Sequence, residues 1–388
     1  MPNFISQYTG LQIEDKLTKA GTAVQPEGLT KAAVGLGNAD NTADIDKPIS
    51  TSMQSALDAK QDTLVSGTNI KTVNSQSILG AGNIVADLSN FTESINTAVP
   101  NDTTNAIALT ASGTATNIDF CMVAKGTGAF LAQVPDEAAT GGNKRGRNAT
   151  DFQQKRTDAT QVAGGDYSVI SGGSSNTASG YASMIGGGTF NIASGQRSVI
   201  TGGEGNTASG ITATVSGGRN NLADGNNSTV PGGNRATTNG IAGLLAYGFN
   251  SSVLGESQMS FCGGRAFTGS ATSTRMTADG LSASTTNQLT LRNNSVFRVR
   301  GIVVARNTST NVCKEWTFEA LIKRGASAAA TSIVGTPSIT STFADTAAAS
   351  WGVAVSADTT NGALAVTATG AASTNIRWTA VVHSIEVA

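Results

Sequence analysis

A fifteen-residue repeat in the middle of the chain constrains its fold more than any other feature. Between residues 168 and 257 a Gly-Gly pair returns at a fixed interval, with first glycines Gly172, Gly187, Gly202, Gly217 and Gly232. Each block has an apolar residue at its third position, namely Ile170, Ile185, Ile200, Val215, Val230 and Leu245. So strict a register predicts a solenoid, in which each block forms one coil that stacks on the next coil.

Glycine and asparagine positions predict the shape of one coil. Another glycine stands at the thirteenth position of each block, from Gly180 to Gly255. Because glycine permits the positive φ that a sharp corner requires, we expect two short strands per block, joined by two tight bends. The first glycine of each Gly-Gly pair is predicted to lie at such a corner. The ninth position holds Asn176, Asn191, Asn206 and Asn221, which suit either an ordinary turn or a ladder of stacked amides.

The composition leaves too few large side chains for a thick core around such a coil. Only 5% of the 388 residues are aromatic, whereas glycine contributes 46 residues. One Ile or Val per coil buries too little apolar surface to offset the entropy of ordering the whole block. Three identical coils packed side by side supply further burial, so we predict a homotrimer with a trimeric β-roll.

The repeat and its flanking segments carry a family resemblance. The block pattern SxxxGGxxNxASGxxS resembles the head repeat of trimeric autotransporter adhesins, which form trimeric β-rolls, and the same repeat occurs in phage tail fibres. Residues 29–84 resemble a module of phage tail fibre proteins, and residues 132–167 resemble the connector that precedes this repeat in phage fibres. The resemblance implies a trimeric rod that binds a surface. The chain shows no pattern of a secretory signal or membrane anchor, which favours a phage fibre over a bacterial adhesin.

A short neck is predicted upstream of the repeat. The spacing of Ile49, Met53 and Leu57 after Pro48 predicts a short helix with one apolar stripe, and such a helix suits a three-helix bundle. Residues 65–85 alternate small polar and apolar residues and predict short strands.

Larger residues return after residue 258 and predict a C-terminal β domain. Strand-like runs span residues 297–307, 314–325, 350–358, 362–370 and 375–387. This pattern favours an antiparallel β-sandwich or a jelly roll. Trp316, Trp351 and Trp378 all fall in this part, and their places inside apolar runs favour the core over a sugar-binding platform.

The whole pattern predicts a mainly β chain that forms an elongated homotrimeric fibre with a short N-terminal helical neck. We divide it into a virion attachment segment (1–28), a helix-and-strand neck (29–90), a β-rich shoulder or connector (91–167), the β-roll repeats (168–257) and a globular receptor-binding tip (258–388).

The sequence marks no catalytic, cofactor-binding or metal-ligating residue. His383 is the only histidine, so any Ser-His-Asp or Cys-His chemistry would pass through it, and we expect a hydrogen-bonded structural histidine. No pair of carboxylates stands out for glycoside cleavage. Cys121, Cys262 and Cys313 lie far apart in the sequence and are predicted to be buried small residues. We therefore expect that the chain is not an enzyme and needs no cofactor.

A basic cluster before the repeat leaves two hypotheses open. Its members are Lys144, Arg145, Arg147, Lys155 and Arg156. They could bind an anion such as host polysaccharide, or they could pair with the carboxylates of Asp136, Glu137, Asp151 and Asp158, which the sequence favours. The net charge of −1 gives no electrostatic footprint for nucleic acid, so nucleic acid is excluded as a partner.

The expected function is attachment of a phage to its host. The trimer would be made in the host cytoplasm, dock to a tail or baseplate protein through its N-terminus, and bind a surface glycan or outer-membrane receptor through its C-terminal tip. The favoured ligand is surface polysaccharide, which several weak tips would hold by avidity. Two alternatives stay open: a trimeric bacterial surface adhesin, and a tailspike depolymerase that cleaves surface glycans. The sequence does not assign the receptor-contacting residues.

Overall fold

The computed structural model describes residues 49–62, 91–96, 106–111, 117 and 121–388. They belong to two compact units, Met1–Phe120 and Cys121–Ala388, and each unit is treated by itself. The predicted attachment segment at 1–28 and the predicted strands at 65–85 lie outside the described residues.

The first unit contains the predicted short helix. Helix α1 (Thr51–Asp62) begins after Ser50, whose Oγ accepts a hydrogen bond from the Met53 N–H at 3.2 Å and so caps the helix. Ile49, Met53 and Leu57 are all more than half exposed, so the apolar stripe is open to solvent in the single chain. Strands β1 (Phe91–Asn96) and β2 (Ala106–Ala111) of this unit pair antiparallel.

The second unit begins with a β-solenoid of about seven turns. Its strands are β3 (Phe130–Leu131), β4 (Thr150–Asp151), β5 (Val169–Ile170), β6 (Thr177–Ala178), β7 (Met184–Ile185), β8 (Ile192–Ala193), β9 (Val199–Ile200), β10 (Thr207–Ala208), β11 (Thr214–Val215), β12 (Leu222–Ala223), β13 (Thr229–Gly233) and β14 (Leu245–Gly248). The chain is therefore mainly β, as the sequence predicted.

Each of the first four repeat blocks forms two short strands, as predicted, and the strands of successive blocks pair in parallel. One ladder runs through β5, β7, β9, β11 and β13, and a second through β6, β8, β10 and β12. The stacking also extends upstream of the repeat, because Phe130 pairs with Thr150 and Thr150 with Val169. Residues that we assigned to the connector thus form longer coils on the same sheet.

The solenoid core is thin. Ile170, Ile185, Ile200, Val215 and Val230 form one row, and Ala178, Ala193, Ala208 and Ala223 form a second, all at 0% exposure. The last coil departs from the register, since Thr229 pairs with Leu245 and the pairing then shifts before Gly232. Ala246, not the predicted Leu245, is therefore the fully buried residue there, and Leu245 is only partly buried.

The two glycines of each Gly-Gly pair have different roles. Positive φ values between 82° and 98° occur at the second glycine of every pair: Gly173, Gly188, Gly203, Gly218 and Gly233. A Cβ at any of them would overlap the carbonyl oxygen of the glycine in the next coil. The first glycine Gly202 has no positive φ, and a Cβ there would meet nothing within 4 Å. Gly172 and Gly217, the first glycines of two other pairs, have φ values of 156° and 149°, so a side chain there would also be strained. The second glycine is nevertheless the one that combines a positive φ with a close backbone contact in every pair, and the predicted corner at the first glycine fails at Gly202.

The repeat asparagines form a buried ladder, which decides between the two alternatives left open. The side-chain oxygen of Asn191 accepts the N–H of Asn206 at 3.0 Å, and that of Asn206 accepts the N–H of Asn221 at 3.0 Å. Each amide nitrogen also donates to glycine carbonyls, as Asn206 does to Gly202 and Gly218. The ladder thus satisfies backbone groups that the thin core would otherwise bury without partners.

The predicted basic cluster pairs within the chain. Arg145 and Arg156 are both buried and both donate to the fully buried Asp151 carboxylate, at 2.8 and 3.2 Å. Arg147 forms an exposed pair with Asp166 at 2.5 Å. These contacts favour the pairing hypothesis over an anion site in this cluster.

The C-terminal part is a two-layer β-sandwich. Its strands are β15 (Ser257–Thr268), β16 (Ser273–Arg275), β17 (Ser295–Asn307), β18 (Cys313–Arg324), β19 (Thr331–Ala344), β20 (Gly352–Asp358), β21 (Ala363–Thr369) and β22 (Ile376–Val387), with short 3-10 helices at Ala328–Ala330 and Thr346–Ala348. One layer has the antiparallel order β19-β18-β17-β22-β15, and the other has the order β16-β21-β20. All predicted runs are strands, and the jelly-roll alternative gains no support because β17, β18 and β19 form a simple meander.

The sandwich is joined to the solenoid by one continuous sheet. Strand β14 of the last coil pairs antiparallel with β15, so the larger layer extends the first solenoid ladder. The sandwich core is thick where the solenoid core is thin. It contains all three tryptophans, each at most 4% exposed, and the rings of Trp316 and Trp378 stack at 5.4 Å. The prediction that the tryptophans fill the core is confirmed.

The cysteine prediction holds for one residue only. Cys262 is 4% exposed, and burial raises the pKa of its thiol to about 12. Cys121 and Cys313 are exposed, so the expectation that they are buried was wrong. None of the three forms a disulfide within the described residues.

Candidate functional site

The outward side of the larger sandwich layer is an open apolar surface, which we call the outer sheet face. Its exposed members include Phe261, Val296, Ile302, Val304, Val381, Ile385 and Val387, each between 40% and 63% exposed. Register pairs hold them together, since Ile302 lies opposite Val381 and Val296 opposite Val387. The face continues onto the solenoid, because Leu245 of β14 is the register partner of Phe261.

A depression of about 480 Å³ lies in the outer sheet face around Gly301. Glu319 at its rim pairs with Arg298 and, at 3.1 Å, with Arg300. Both guanidiniums are therefore paired within the chain, and the remaining lining is largely apolar.

His383 lies in this depression and differs from the expected hydrogen-bonded histidine. Its ring stacks on Phe261 with centroids 4.7 Å apart, and its Nε2 is buried without a hydrogen-bond partner. No carboxylate hydrogen-bonds to it in the described part of the chain, so it belongs to no catalytic triad there.

A second cleft, of about 420 Å³, lies where the sandwich meets the last solenoid coil, and we call it the seam cleft. Its lining consists of Asn239, Thr285, Thr286, Thr290, Leu291, Arg292, Asn293 and Arg324. Asn239 comes from the solenoid, Arg324 ends β18, and the other residues belong to the loop between β16 and β17. The loop is fixed to the solenoid by hydrogen bonds from Ala242 N–H to the Thr286 carbonyl at 2.8 Å and from Asn239 to the Thr290 carbonyl at 3.2 Å.

A third cleft, of about 560 Å³, lies at the β15 edge of the sandwich, and we call it the edge cleft. Phe267, which is 56% exposed, lies opposite Arg377 in the sheet register. Arg265 donates to the Asp279 carbonyl at 2.7 Å. The edge cleft thus combines an exposed aromatic ring with basic side chains.

A buried polar cluster connects the asparagine ladder to the sandwich. Gln258 accepts the Thr237 N–H at 2.9 Å and donates to the Glu386 carboxylate at 2.7 Å. Burial raises the pKa of Glu386, although hydrogen bonds from Ser260, Ser384 and Gln258 act in the opposite direction. The cluster therefore keeps an acidic side chain in the seam of the molecule.

The described residues give no sign of a metal centre or membrane span. No three His, Cys, Asp or Glu side chains converge into a possible metal site within the described ranges. No described helix is long and apolar enough to cross a membrane.

Comparison with known proteins gives structural similarity only. No family model and no curated protein matches the chain. It is similar to the tailspike protein gp49 of Acinetobacter baumannii bacteriophage Fri1, described as a capsular polysaccharide depolymerase, with 11% identity, TM-score 0.22, and coverage of 67% of this chain and 44% of that one. It is also similar to the tailspike protein of Acinetobacter phage vB_ApiP_P1, with 10% identity, TM-score 0.15, and coverage of 66% and 57%. This chain thus spans about half the length of those two.

These similarities change one expectation and leave another unconfirmed. The expectation that the chain is not an enzyme was wrong, because the similar structures include a depolymerase, which is an enzyme. Such low scores assign no activity to this chain. The resemblance of the repeat to adhesin heads is not confirmed by any of the similar structures.

The structure places the predicted repeat residues in the solenoid framework and brings together other residues that the sequence did not mark. The glycines and asparagines of the repeat form corners and a buried ladder, not an open site. The seam cleft joins residues from three distant stretches of chain, namely Asn239, residues 285–293 and Arg324. The only sequence feature that points toward the seam cleft is the presence of arginines in the C-terminal part. Their spacing in the sequence does not show which of them converge.

Proposed function

We propose that this chain is a bacteriophage tail protein that engages the surface polysaccharide of a bacterial host, as a homotrimer in the virion. The N-terminal segment docks to a tail or baseplate protein, and the C-terminal sandwich contacts the glycan. The resemblances at residues 29–84, 132–167 and 168–257 support the phage setting. The observation that carries the proposal is the continuous sheet, which joins a stacked solenoid to a sandwich with open polar clefts.

The clefts of the sandwich support contact with a glycan. Threonine hydroxyls and asparagine amides in the seam cleft can donate to and accept from sugar hydroxyls. In the edge cleft, the exposed ring of Phe267 offers an apolar surface of the kind on which a sugar ring packs. Three such sandwiches in one trimer raise the effective concentration of binding sites at a repetitive polysaccharide.

The outer sheet face supports the homotrimer. An exposed apolar surface of this extent, continuous along the sheet, is costly to leave in water. A second copy of the same chain is its proposed occupant, because the face follows both the thin solenoid and the sandwich. Association of three such faces in a closed trimer supplies the burial of apolar surface that each coil lacks within one chain.

Sedimentation equilibrium of the full chain tests the trimer. We expect a mass of three chains of 39.0 kDa each. Val381→Asp places a charge on the outer sheet face and should shift the population to monomers, whereas Ile192→Asp, on the second ladder, should not. A wild-type monomer at micromolar concentration would refute the trimer.

The function is tested with fluorescently labelled full chain on host cells and on purified surface polysaccharide from the same host. We expect saturable binding to both, and release of reducing ends from the polysaccharide shows whether binding is accompanied by cleavage. Absence of binding and of cleavage on every host that the parent phage infects would overturn the proposal. Deletion of residues 1–28 should leave binding intact and abolish incorporation into particles.

A further inference from the structure

The seam cleft contains positive charge that the chain itself does not pair. Neither Arg292 nor Arg324 forms a salt bridge within the described residues, and no Asp or Glu lines the cleft. We infer that the seam cleft binds the carboxylate of an acidic sugar in the surface polysaccharide. This inference rests on the proposed function and adds to it the chemical class of the sugar and the place where it binds.

Arg292 is held in a fixed position beside a glycine corner. Its Nη1 donates to the Leu254 carbonyl, and a Cβ at Gly255 would approach this nitrogen to 2.6 Å. Gly255 has a φ of 67°, so the corner and the absent side chain both make room for the guanidinium. The other donors of Arg292 have no protein acceptor among the described residues, so they remain available to a ligand.

Arg324 is held in a similar way. Its Nη1 donates to the Leu291 carbonyl at 2.7 Å, and a Cβ at Gly362 would overlap this nitrogen. Gly362 has a φ of 70°. The Nε of Arg324 is buried and has no hydrogen-bond partner, which is costly unless a ligand or water satisfies it. Each guanidinium thus uses its Nη1 to bind the framework, and the Nη2 of each has no acceptor among the described residues.

The charge of the seam cleft differs from that of the other arginines in the sandwich. On the outer sheet face, Arg298 and Arg300 both pair with the Glu319 carboxylate. Glu386 interacts electrostatically with Arg292 but does not line the cleft. Because burial raises the pKa of Glu386 and favours its neutral form, it is a poor counter-ion. Two prepositioned guanidiniums beside hydroxyl and amide groups match a carboxylate on a polyhydroxylated ring better than a neutral sugar.

The size of the cleft fits a small part of a glycan. About 420 Å³ lies within the range of sites for small molecules. Thr285 and Thr286 lie on the exposed loop, where their hydroxyls can reach the ring hydroxyls of the sugar whose carboxylate meets the arginines. Inorganic phosphate shares the anionic chemistry, but it would leave these hydroxyl-bearing residues without contacts.

The test uses the full chain on an array of acidic bacterial surface oligosaccharides, each printed beside the same oligosaccharide after reduction of its carboxyl groups to alcohols. We expect binding to at least one acidic glycan and a loss of about 10- to 100-fold on its reduced form. Arg292→Gln and Arg324→Gln should each cause a comparable loss. Arg219→Gln, at an exposed arginine of the solenoid, is the matched control and should bind like the wild type. Arg377→Gln tests the edge cleft separately.

The outcomes separate this inference from the proposed function. Binding that is equal on acidic and reduced glycans, or unchanged in both seam-cleft variants with an intact thermal transition, overturns the acidic-sugar site and leaves the proposed function standing. Loss of binding in Arg377→Gln alone moves the site to the edge cleft and also overturns the inference. Equal competition by millimolar phosphate and by the free acidic sugar shows a general anion site, which is a third way to overturn it. Absence of binding to every glycan and to host cells refutes the proposed function itself.

If Arg324→Gln fails to fold, Arg324→Lys provides the second variant. It keeps the positive charge and loses the planar pair of donors, so it should fold and still bind more weakly than the wild type. Wild-type affinity in a folded Arg324→Lys and a folded Arg292→Gln would contradict the site.

Discussion

The solenoid and the sandwich share one sheet but are stabilised in opposite ways. Each of the four coils between residues 168 and 227 buries one Ile or Val, one Ala and one Asn. The sandwich packs three tryptophans and two phenylalanines, Phe297 and Phe318, into a single core between two layers. The solenoid therefore depends on exact backbone stacking, and the sandwich depends on side-chain volume. Open clefts with unpaired polar groups occur in the sandwich and at its seam.

Truncation of a large core residue in the sandwich should have the largest effect on stability. Trp378 is 1% exposed, stacks against Trp316 and Trp351, and donates its indole N–H to Thr268 at 2.9 Å. We expect Trp378→Ala to lower the free energy of unfolding by about 3–5 kcal/mol, measured by denaturant titration. The neighbouring outward Thr379→Ala should change it little. Equal effects of the two substitutions would mean that the sandwich lacks the thick core described above.

In the solenoid, a methyl group added at the second glycine of a Gly-Gly pair should lower the free energy of unfolding almost as much. Gly203 has a φ of 91°, and a Cβ there would overlap the carbonyl oxygen of Gly218 in the next coil. We expect Gly203→Ala to cost about 2–4 kcal/mol in the same titration. Gly202→Ala, one residue earlier, should cost less than about 1 kcal/mol. A larger effect of the substitution at Gly202 than at Gly203 would instead place the corner at the first glycine, as the sequence predicted.

Removal of one step of the asparagine ladder should have an intermediate effect. In Asn206→Ala, the Asn221 N–H loses its acceptor and the carbonyls of Gly202 and Gly218 lose a donor. We expect a cost of about 1–3 kcal/mol, because these groups lie in or near the core. Asn250→Ala replaces an exposed asparagine and should be neutral within error. No change in Asn206→Ala would show that water can replace the ladder.

The seam between the two regions should give the smallest effect, and one that depends on pH. Burial raises the pKa of Glu386, so the folded state favours its neutral form. This preference stabilises the folded state fully at pH values below the pKa that Glu386 has in the unfolded chain. The stabilisation is lost as pH rises through the pKa that Glu386 has in the folded state. Relative to Glu386→Gln, the melting temperature of the wild type should therefore fall as pH rises from about 4 to 8. A difference that is constant over this range would contradict the raised pKa.

The sequence predicted the repeated parts of the fold well because a period reports a structure that repeats. The fixed spacing predicted two strands per coil, and alternating apolar residues predicted the strands of the sandwich. It did not predict which glycine of each pair forms the corner, since both glycines recur in the same register. It also missed the coils at Phe130 and Thr150, whose spacing differs from that of the repeat. The seam cleft depends on contacts between residues far apart in the chain, and a single sequence carries no signal for them.

The claim that the sandwich and its seam contact the glycan, and that the solenoid coils do not, can be tested directly. The measurement is hydrogen–deuterium exchange of the full chain with and without surface polysaccharide from its host. The account predicts added protection in the loop at residues 285–293 and at the end of β18 near Arg324, with unchanged exchange in the coils at residues 168–230. Added protection in those coils, with none in the sandwich, would contradict the account and assign glycan contact to the solenoid.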